Sequence, residues 1–218
     1  MLNVTRFFSA ASLLFSFTFI AQAQAQNDAQ AQAILNRVSR VYQTYSTITS
    51  TFSLTTKNSN GGTTVSTGKI WMKGKMYKLD YADQQIYCNG TYIWTYNELD
   101  AEVTQENFVY RSNNITPNEI FTIYNRDFRS TYDGPLVRNG KNYDVVLMVP
   151  KKATNYSWVK IEVDKSTNKV QRLIQRFKNG TEVTIEVTSF VTNQTLSDAF
   201  FKWNQAAHSD VDLVDLTH

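Results

Sequence analysis

The chain has 218 residues, with 22 Lys and Arg against 19 Asp and Glu and a formal charge of +3 at pH 7. That near balance argues against a nucleic-acid partner, for which a clustered basic stripe is expected. The single Cys88 excludes an internal disulfide and, set among strand-forming residues, reads as a small buried hydrophobe.

Met1 to Arg6 carries one positive charge, Phe7 to Ile20 is a 14-residue apolar run diluted by Ser and Thr, and Ala21-Gln22-Ala23 is a small-residue site. This is the pattern of a secretory signal peptide, and the run falls short of the ~20 residues that span a bilayer. Cleavage is expected after Ala23 or Ala25. Residues 1–23 are then a leader and 24–218 one exported domain, a length suited to a single core.

A first helix is expected from an Asn27 or Asp28 cap to Tyr45, with Ile34, Val38, Val41 and Tyr45 as one apolar stripe. Strands follow over Thr47 to Lys57 and, after Asn60-Gly61-Gly62, over Thr63 to Lys73. Gly68 to Tyr96 then forms the densest period-two alternation: Tyr77, Leu79 and Tyr81 share one face, Lys78 and Asp80 the other. After the Asn89-Gly90 turn, Tyr92, Trp94 and Tyr96 repeat the pattern. Another strand runs from Glu102 to Tyr110. Thr116-Pro117-Asn118-Glu119 then opens a second helix, with a capping box and proline at its first position. Its apolar residues are Ile120, Phe121, Ile123 and Tyr124.

The second half returns to strands over Phe128 to Leu136, Tyr143 to Val149, Ser157 to Asp164, Lys169 to Lys178 and Thr181 to Val191. A short helical turn at Leu196 to Phe200 and an extended tail complete the chain. The fold class is α+β, mainly β: a single antiparallel sheet of about 11 strands with an N-terminal and a middle helix over its apolar face.

Catalytic chemistry has little support. Both histidines, His208 and His218, lie in the tail, there is no Gly-rich phosphate loop, and Glu182 and Glu186 sit opposite the Val183-Ile185-Val187 face, where a solvated surface is expected. The chain is read as a non-enzyme without cofactor or metal. So large an apolar sheet face under few helices favours a cavity. Its expected lining is Ile48, Phe52, Leu54, Ile70, Tyr77, Leu79, Tyr81, Ile86, Trp94, Tyr96, Leu147, Val159, Ile161, Val183 and Ile185.

The order Gly68-x-Ile70, Lys73, the Tyr77 to Tyr81 strand, Ile86, Asn89-Gly90 and Ile93-Trp94-x-Tyr96 resembles the LolA family, periplasmic carriers of lipoproteins to the outer membrane. Phe201-Lys202-Trp203 and Val211-x-x-Val214-Asp215-Leu216 extend the resemblance to the end of the chain. It implies an open half-barrel whose helices form a lid over a hydrophobic cavity. The lid would be Ile34, Leu35, Val38 and Val41 with Ile120, Phe121, Ile123 and Tyr124, and Tyr77 would be the pocket aromatic. The implied partners are acylated lipoproteins, an inner-membrane lipoprotein-releasing ABC transporter and an outer-membrane acceptor, for a monomer in the periplasm. One departure concerns gating: the family's lid-closing arginine falls at Gly74, between Lys73 and Lys75, and a lysine lacks the planar fork of donors. Two alternatives are a lipid-sensing module of the same fold and an outer-membrane β-barrel; the two helices and the acidic tail speak against the barrel.

Overall fold

The structure, a computed structural model, describes residues 12–108 and 127–217, with side chains from residue 28 onward. One helix, α1 (Ser12–Gln43), precedes the strands β1 (Ile48–Lys57), β2 (Thr63–Lys73), β3 (Met76–Tyr81), β4 (Gln84–Cys88), β5 (Tyr92–Asn97) and β6 (Glu102–Asn107). After the undescribed segment come β7 (Phe128–Arg138), β8 (Lys141–Pro150), β9 (Tyr156–Asp164), β10 (Val170–Phe177), β11 (Glu182–Thr192) and β12 (Asp212–Asp215). The middle helix expected from Thr116 lies outside the described residues.

Among the described residues, all twelve strands form one open sheet in the order β12-β6-β5-β4-β3-β2-β1-β11-β10-β9-β8-β7. Its two edges, β12 and β7, do not meet, so the sheet is not a closed barrel. The count exceeds the expected eleven by the tail strand β12, which pairs with β6 in parallel, Leu213 opposite Val103. Four polar-flanked residues at a terminus carry no alternation long enough to announce a strand. The other pairings are antiparallel hairpin neighbours, except that β1 returns to meet β11, Leu54 opposite Ile185.

Turn chemistry sets the meander. Asn139 and Gly140 both have positive φ, 50° and 72°, the conformation that a two-residue hairpin turn requires. Gly68 answers a different need. A Cβ there would collide with the Phe52 ring, which lies across the neighbouring strand on the glycine, so only glycine admits the ring.

The helix departs from expectation at its start. α1 is continuous over 32 residues, through Asn27 and Asp28 and back to Ser12. The Ala/Gln run has good helix propensity, and Asp28 accepts a hydrogen bond from Thr131 on β7 at 2.8 Å instead of capping. Among the described residues no helix is long and apolar enough to cross a membrane.

The antiparallel order sorts the connections to two ends of the sheet. Turns 58–62, 82–83, 98–101, 151–155 and 178–181 share the far end; turns 74–75, 89–91, 139–140 and 165–169 share the near end with the last turn of α1. α1 lies on β7 and β8, running from the far end at Asp28 to the near end at Gln43.

Candidate functional site

Register assigns every strand residue to a face. On the helix-bearing, concave side, one row runs Ile48, Met72, Tyr77, Cys88, Ile93 and a second runs Ser50, Ile70, Leu79, Ile86, Thr95. A third row runs Tyr132, Val146, Ile161, Leu173, Ile185, Leu54. Of the expected lining, Ile48, Phe52, Leu54, Ile70, Tyr77, Leu79, Tyr81, Ile86, Val159, Ile161, Val183 and Ile185 share this face.

Trp94, Tyr96 and Leu147 do not. The hairpins pair Tyr77 with Cys88 and Cys88 with Ile93, so the odd residues of β3 share a face with the even residues of β4 and the odd residues of β5. Trp94 therefore follows Tyr87 and Lys78 onto the convex side. There Trp94, Tyr96 and Val103 pack with Trp203 and Val211 of the tail. Leu147 sits opposite Lys160, also convex, while its neighbours Val146 and Met148 face the helix. The unbroken run Val145 to Val149 has no alternation from which a face could be chosen.

The concave face is filled unequally. Beside α1, Ile34, Leu35 and Val38 are each 1% exposed, and Val146, Val159 and Val163 are as deeply buried. The helix stripe is Ala31, Ile34, Leu35, Val38 and Tyr42 and not Val41 and Tyr45, which are half-buried. Tyr42 takes the seam because its hydroxyl accepts the Val170 N–H at 3.3 Å; burial pushes that phenol well above the usual range, so it stays protonated. Over β1 to β5, by contrast, Leu54, Leu79, Tyr81, Ile86 and Ile93 are only half-buried. The lid residues Ile120, Phe121, Ile123 and Tyr124 lie outside the described residues. Cys88 is fully buried, and that burial raises its thiol pKa, so it serves as a small hydrophobe and not as a nucleophile.

What holds α1 is a polar cluster at the near end. Asp144 on β8, with 10% of its side chain exposed, lies 3.4 Å from the Arg37 guanidinium of α1 and 3.1 Å from Lys165 Nζ of the β9–β10 turn. It also accepts from Tyr132 on β7 at 3.2 Å. Arg37 Nε donates to Asn168 Oδ1 at 3.1 Å. The turn is itself fixed by Asp164, whose carboxylate accepts from Ser166 and Thr167 and is thereby held below the usual carboxylate range. No sequence pattern points to Arg37 as special; its partners are 107 and 131 residues away.

Neither lysine of the meander takes that part. Lys73 Nζ donates to Leu196 O at 2.7 Å and pairs with Asp198 at 2.8 Å on the tail, Lys75 is exposed, and Gly74 occupies a positive-φ turn.

On the convex side the tail covers the β2–β6 half. Trp203 lies 5.0 Å from Tyr96 and 5.7 Å from Tyr87 between ring centroids, with His208 stacked on it at 4.3 Å. Beneath it, Lys78 Nζ sits 4.8 Å from the Tyr87 ring and 5.5 Å from that of Trp71, a stabilising cation–π site. The other convex half carries ion pairs, Arg138 and Arg172 bridging Glu162 and Glu186. Glu186 and Glu182 are thus paired with arginines on the outer face. Among the described residues no group of three or more His, Cys, Asp and Glu side chains is placed to hold a metal ion.

An uncharacterized conserved protein from Thermus thermophilus shares the fold at TM-score 0.60 and 9% identity, over 85% of this chain and 99% of that one. A putative outer membrane lipoprotein-sorting protein domain from Vibrio parahaemolyticus aligns at TM-score 0.50 and 11% identity, over 84% and 99% of the two chains. No curated protein matches the chain in sequence. Residues 43–204 match the family described as Outer membrane lipoprotein carrier protein LolA, three quarters of the chain and all but the first and last elements of the sheet domain, and the chain belongs to that family.

Proposed function

We propose that the chain is an exported carrier that holds the acyl chains of lipoproteins against the concave face of β1 to β5 and conveys them through the periplasm from the inner to the outer membrane. The observation that carries this is the unequal filling of the sheet. The concave face under α1 is packed to 1% exposure, yet over β1 to β5 the same face leaves Leu54, Leu79, Tyr81, Ile86 and Ile93 half-buried. Each methylene moved from water onto such a surface contributes about 0.8 kcal/mol, so an acyl chain is a fitting occupant. Family membership supports the same activity, with cleavage after Ala23 or Ala25 delivering residues 24–218 to the periplasm. An inner-membrane ABC transporter would load the carrier and an outer-membrane acceptor would unload it. The role is carriage by a monomer, not catalysis.

Residues 24–218 should bind an environment-sensitive acyl probe, and a lipopeptide should displace it. Leu79→Asn and Ile86→Asn should each weaken that binding about tenfold or more, because a polar group is then placed against the chain, while Leu147→Asn on the convex side should not. Equal effects of all three would sink the assignment of the face. Transfer of a loaded lipoprotein to acceptor membranes separates a carrier from a lipid-sensing module, which would bind without delivering.

A further inference from the structure

The charges of the sheet are not mixed evenly. Three far-end connections, residues 57–62, 151–155 and 178–181, hold Lys57, Lys151, Lys152 and Lys178 and contain no Asp or Glu. They form one continuous surface. The Lys178 N–H donates to Asn155 O at 3.0 Å, joining the β10–β11 and β8–β9 connections, and Ser59 of the β1–β2 turn packs against Gly180. All four lysines are exposed, as is Arg129 on the adjoining strand. Two carboxylates border this surface: Glu182, opposite Lys57 in register, which pairs with Arg176, and Asp127, which adjoins Lys151 and accepts its N–H through the carbonyl at 2.8 Å; the basic array therefore rests on Lys57, Lys152 and Lys178. The remaining turns of the same end, over β3 to β6, carry the opposite sign in Asp83, Glu98, Asp100 and Glu102, all exposed.

α1 points the same way. Asp28 is anchored beside Thr131 at the far end, and the helix continues from there toward Ser12, so the export leader departs from the end that carries the lysines. A surface of clustered lysines with backbone turns and small polar residues between them suits a broad array of negative charge and not a single anion.

We propose that this basic half of the far end docks on an anionic phospholipid bilayer, with the acidic turns held off the surface so that the sheet approaches tilted onto the β1 and β8–β11 side. Docking there is distinct from acyl binding on the concave face and does not depend on it. A Lys near an anionic membrane contributes about a fivefold gain in binding, and the effect fades with salt as the Debye length shortens.

The test is co-sedimentation of residues 24–218 with vesicles of phosphatidylglycerol and phosphatidylcholine against phosphatidylcholine alone. The far-end variant Lys57→Gln/Lys152→Gln/Lys178→Gln is compared with a variant of equal charge, Lys75→Gln/Lys141→Gln/Lys202→Gln, at exposed lysines away from that end. The expected result is binding to the anionic vesicles only, lost on the order of 100-fold in the far-end variant, little changed in the other, and strengthened by Glu98→Gln/Asp100→Asn. Equal losses in the two triple variants would show a response to net charge alone and overturn the proposal, as would equal binding to uncharged vesicles or none to either. A DNA duplex that displaced the vesicles with the same lysine dependence would overturn the bilayer as occupant. Probe binding on the concave face, measured on the same variants, should stay at the wild-type level; its loss in every protein would refute acyl carriage and leave the docking result standing.

Discussion

Replacing Asp144 by Ala tests what keeps α1 on the sheet. Its carboxylate gathers Arg37 from the helix, Lys165 from the β9–β10 turn and Tyr132 from β7. Because the two cations are 41% and 43% exposed, each pair is screened and contributes at most about 1 kcal/mol. The Tyr132 hydrogen bond adds about 1 kcal/mol. Water regained by the freed cations offsets part of this, leaving a loss of about 1–2 kcal/mol. The apolar seam of Ile34, Leu35 and Val38 remains, so the domain should stay folded with α1 less firmly held. Hydrogen exchange of the buried amides in residues 31–42 should quicken about 5- to 30-fold, while β2 to β5 exchange as before. Salt at about 1 M should quicken the wild type toward the variant, since only the wild type has pairs to screen. Exchange that rose equally throughout the sheet would show a general loss of stability, and unchanged exchange in α1 would show that its apolar seam alone holds it; either result refutes the clamp.

Gly68→Ala should cost about 1–3 kcal/mol by overpacking, seen as a lower urea midpoint at unchanged slope, and Phe52→Leu in the same chain should recover part of it by withdrawing the ring. Trp203→Ala, at a side chain 5% exposed among Tyr87, Tyr96 and His208, should cost about 3–5 kcal/mol yet leave acyl-probe affinity unchanged in the folded fraction, because the tail covers the convex face only. Asp164 has a lowered folded-state pKa, so its ionised form contributes stability that is present above the unfolded carboxylate range and lost as pH falls through the lower folded value. Asp164→Asn should therefore be less stable than wild type at pH 7, and the gap in urea midpoint should close as pH drops below about 4; a gap that widened on acidification would contradict the assigned role.

Most strands are legible because hairpins with Asn-Gly turns and period-two alternation constrain one another, as in β2, expected and found over Thr63–Lys73. Faces are less legible than strands. Alternation assigns residues to two sides within a strand, but which side continues into the next strand depends on the pairing sum of the hairpin, and the turn after Cys88 carries odd residues where even ones are expected. That one parity separates Tyr77 from Trp94. It also hides the tail's role, since a single aromatic face leaves Phe201 and Trp203 without a surface of their own. The start of α1 departs from expectation for the opposite reason: Asp28 looks like a cap locally, and only its contact with Thr131, 103 residues on, shows why it is not one.

The loss of the family arginine at Gly74 bears on gating through the geometry of its replacement. An arginine at position 74 would stand in the near-end turn after β2, and Arg37 holds α1 at that same end from the helix itself. The polar attachments of α1 are therefore graded along its length. Tyr42 to Val170 and Arg37 to Asp144 and Asn168 lie toward the near end, while the far end has the Asp28–Thr131 hydrogen bond. Local stability follows the density of such contacts, so among the described residues α1 is held most firmly at the clamp. The half-buried residues over β1 to β5 lie away from β7 and β8, on which α1 rests, so an occupant of that part of the concave face would not have to displace the clamp.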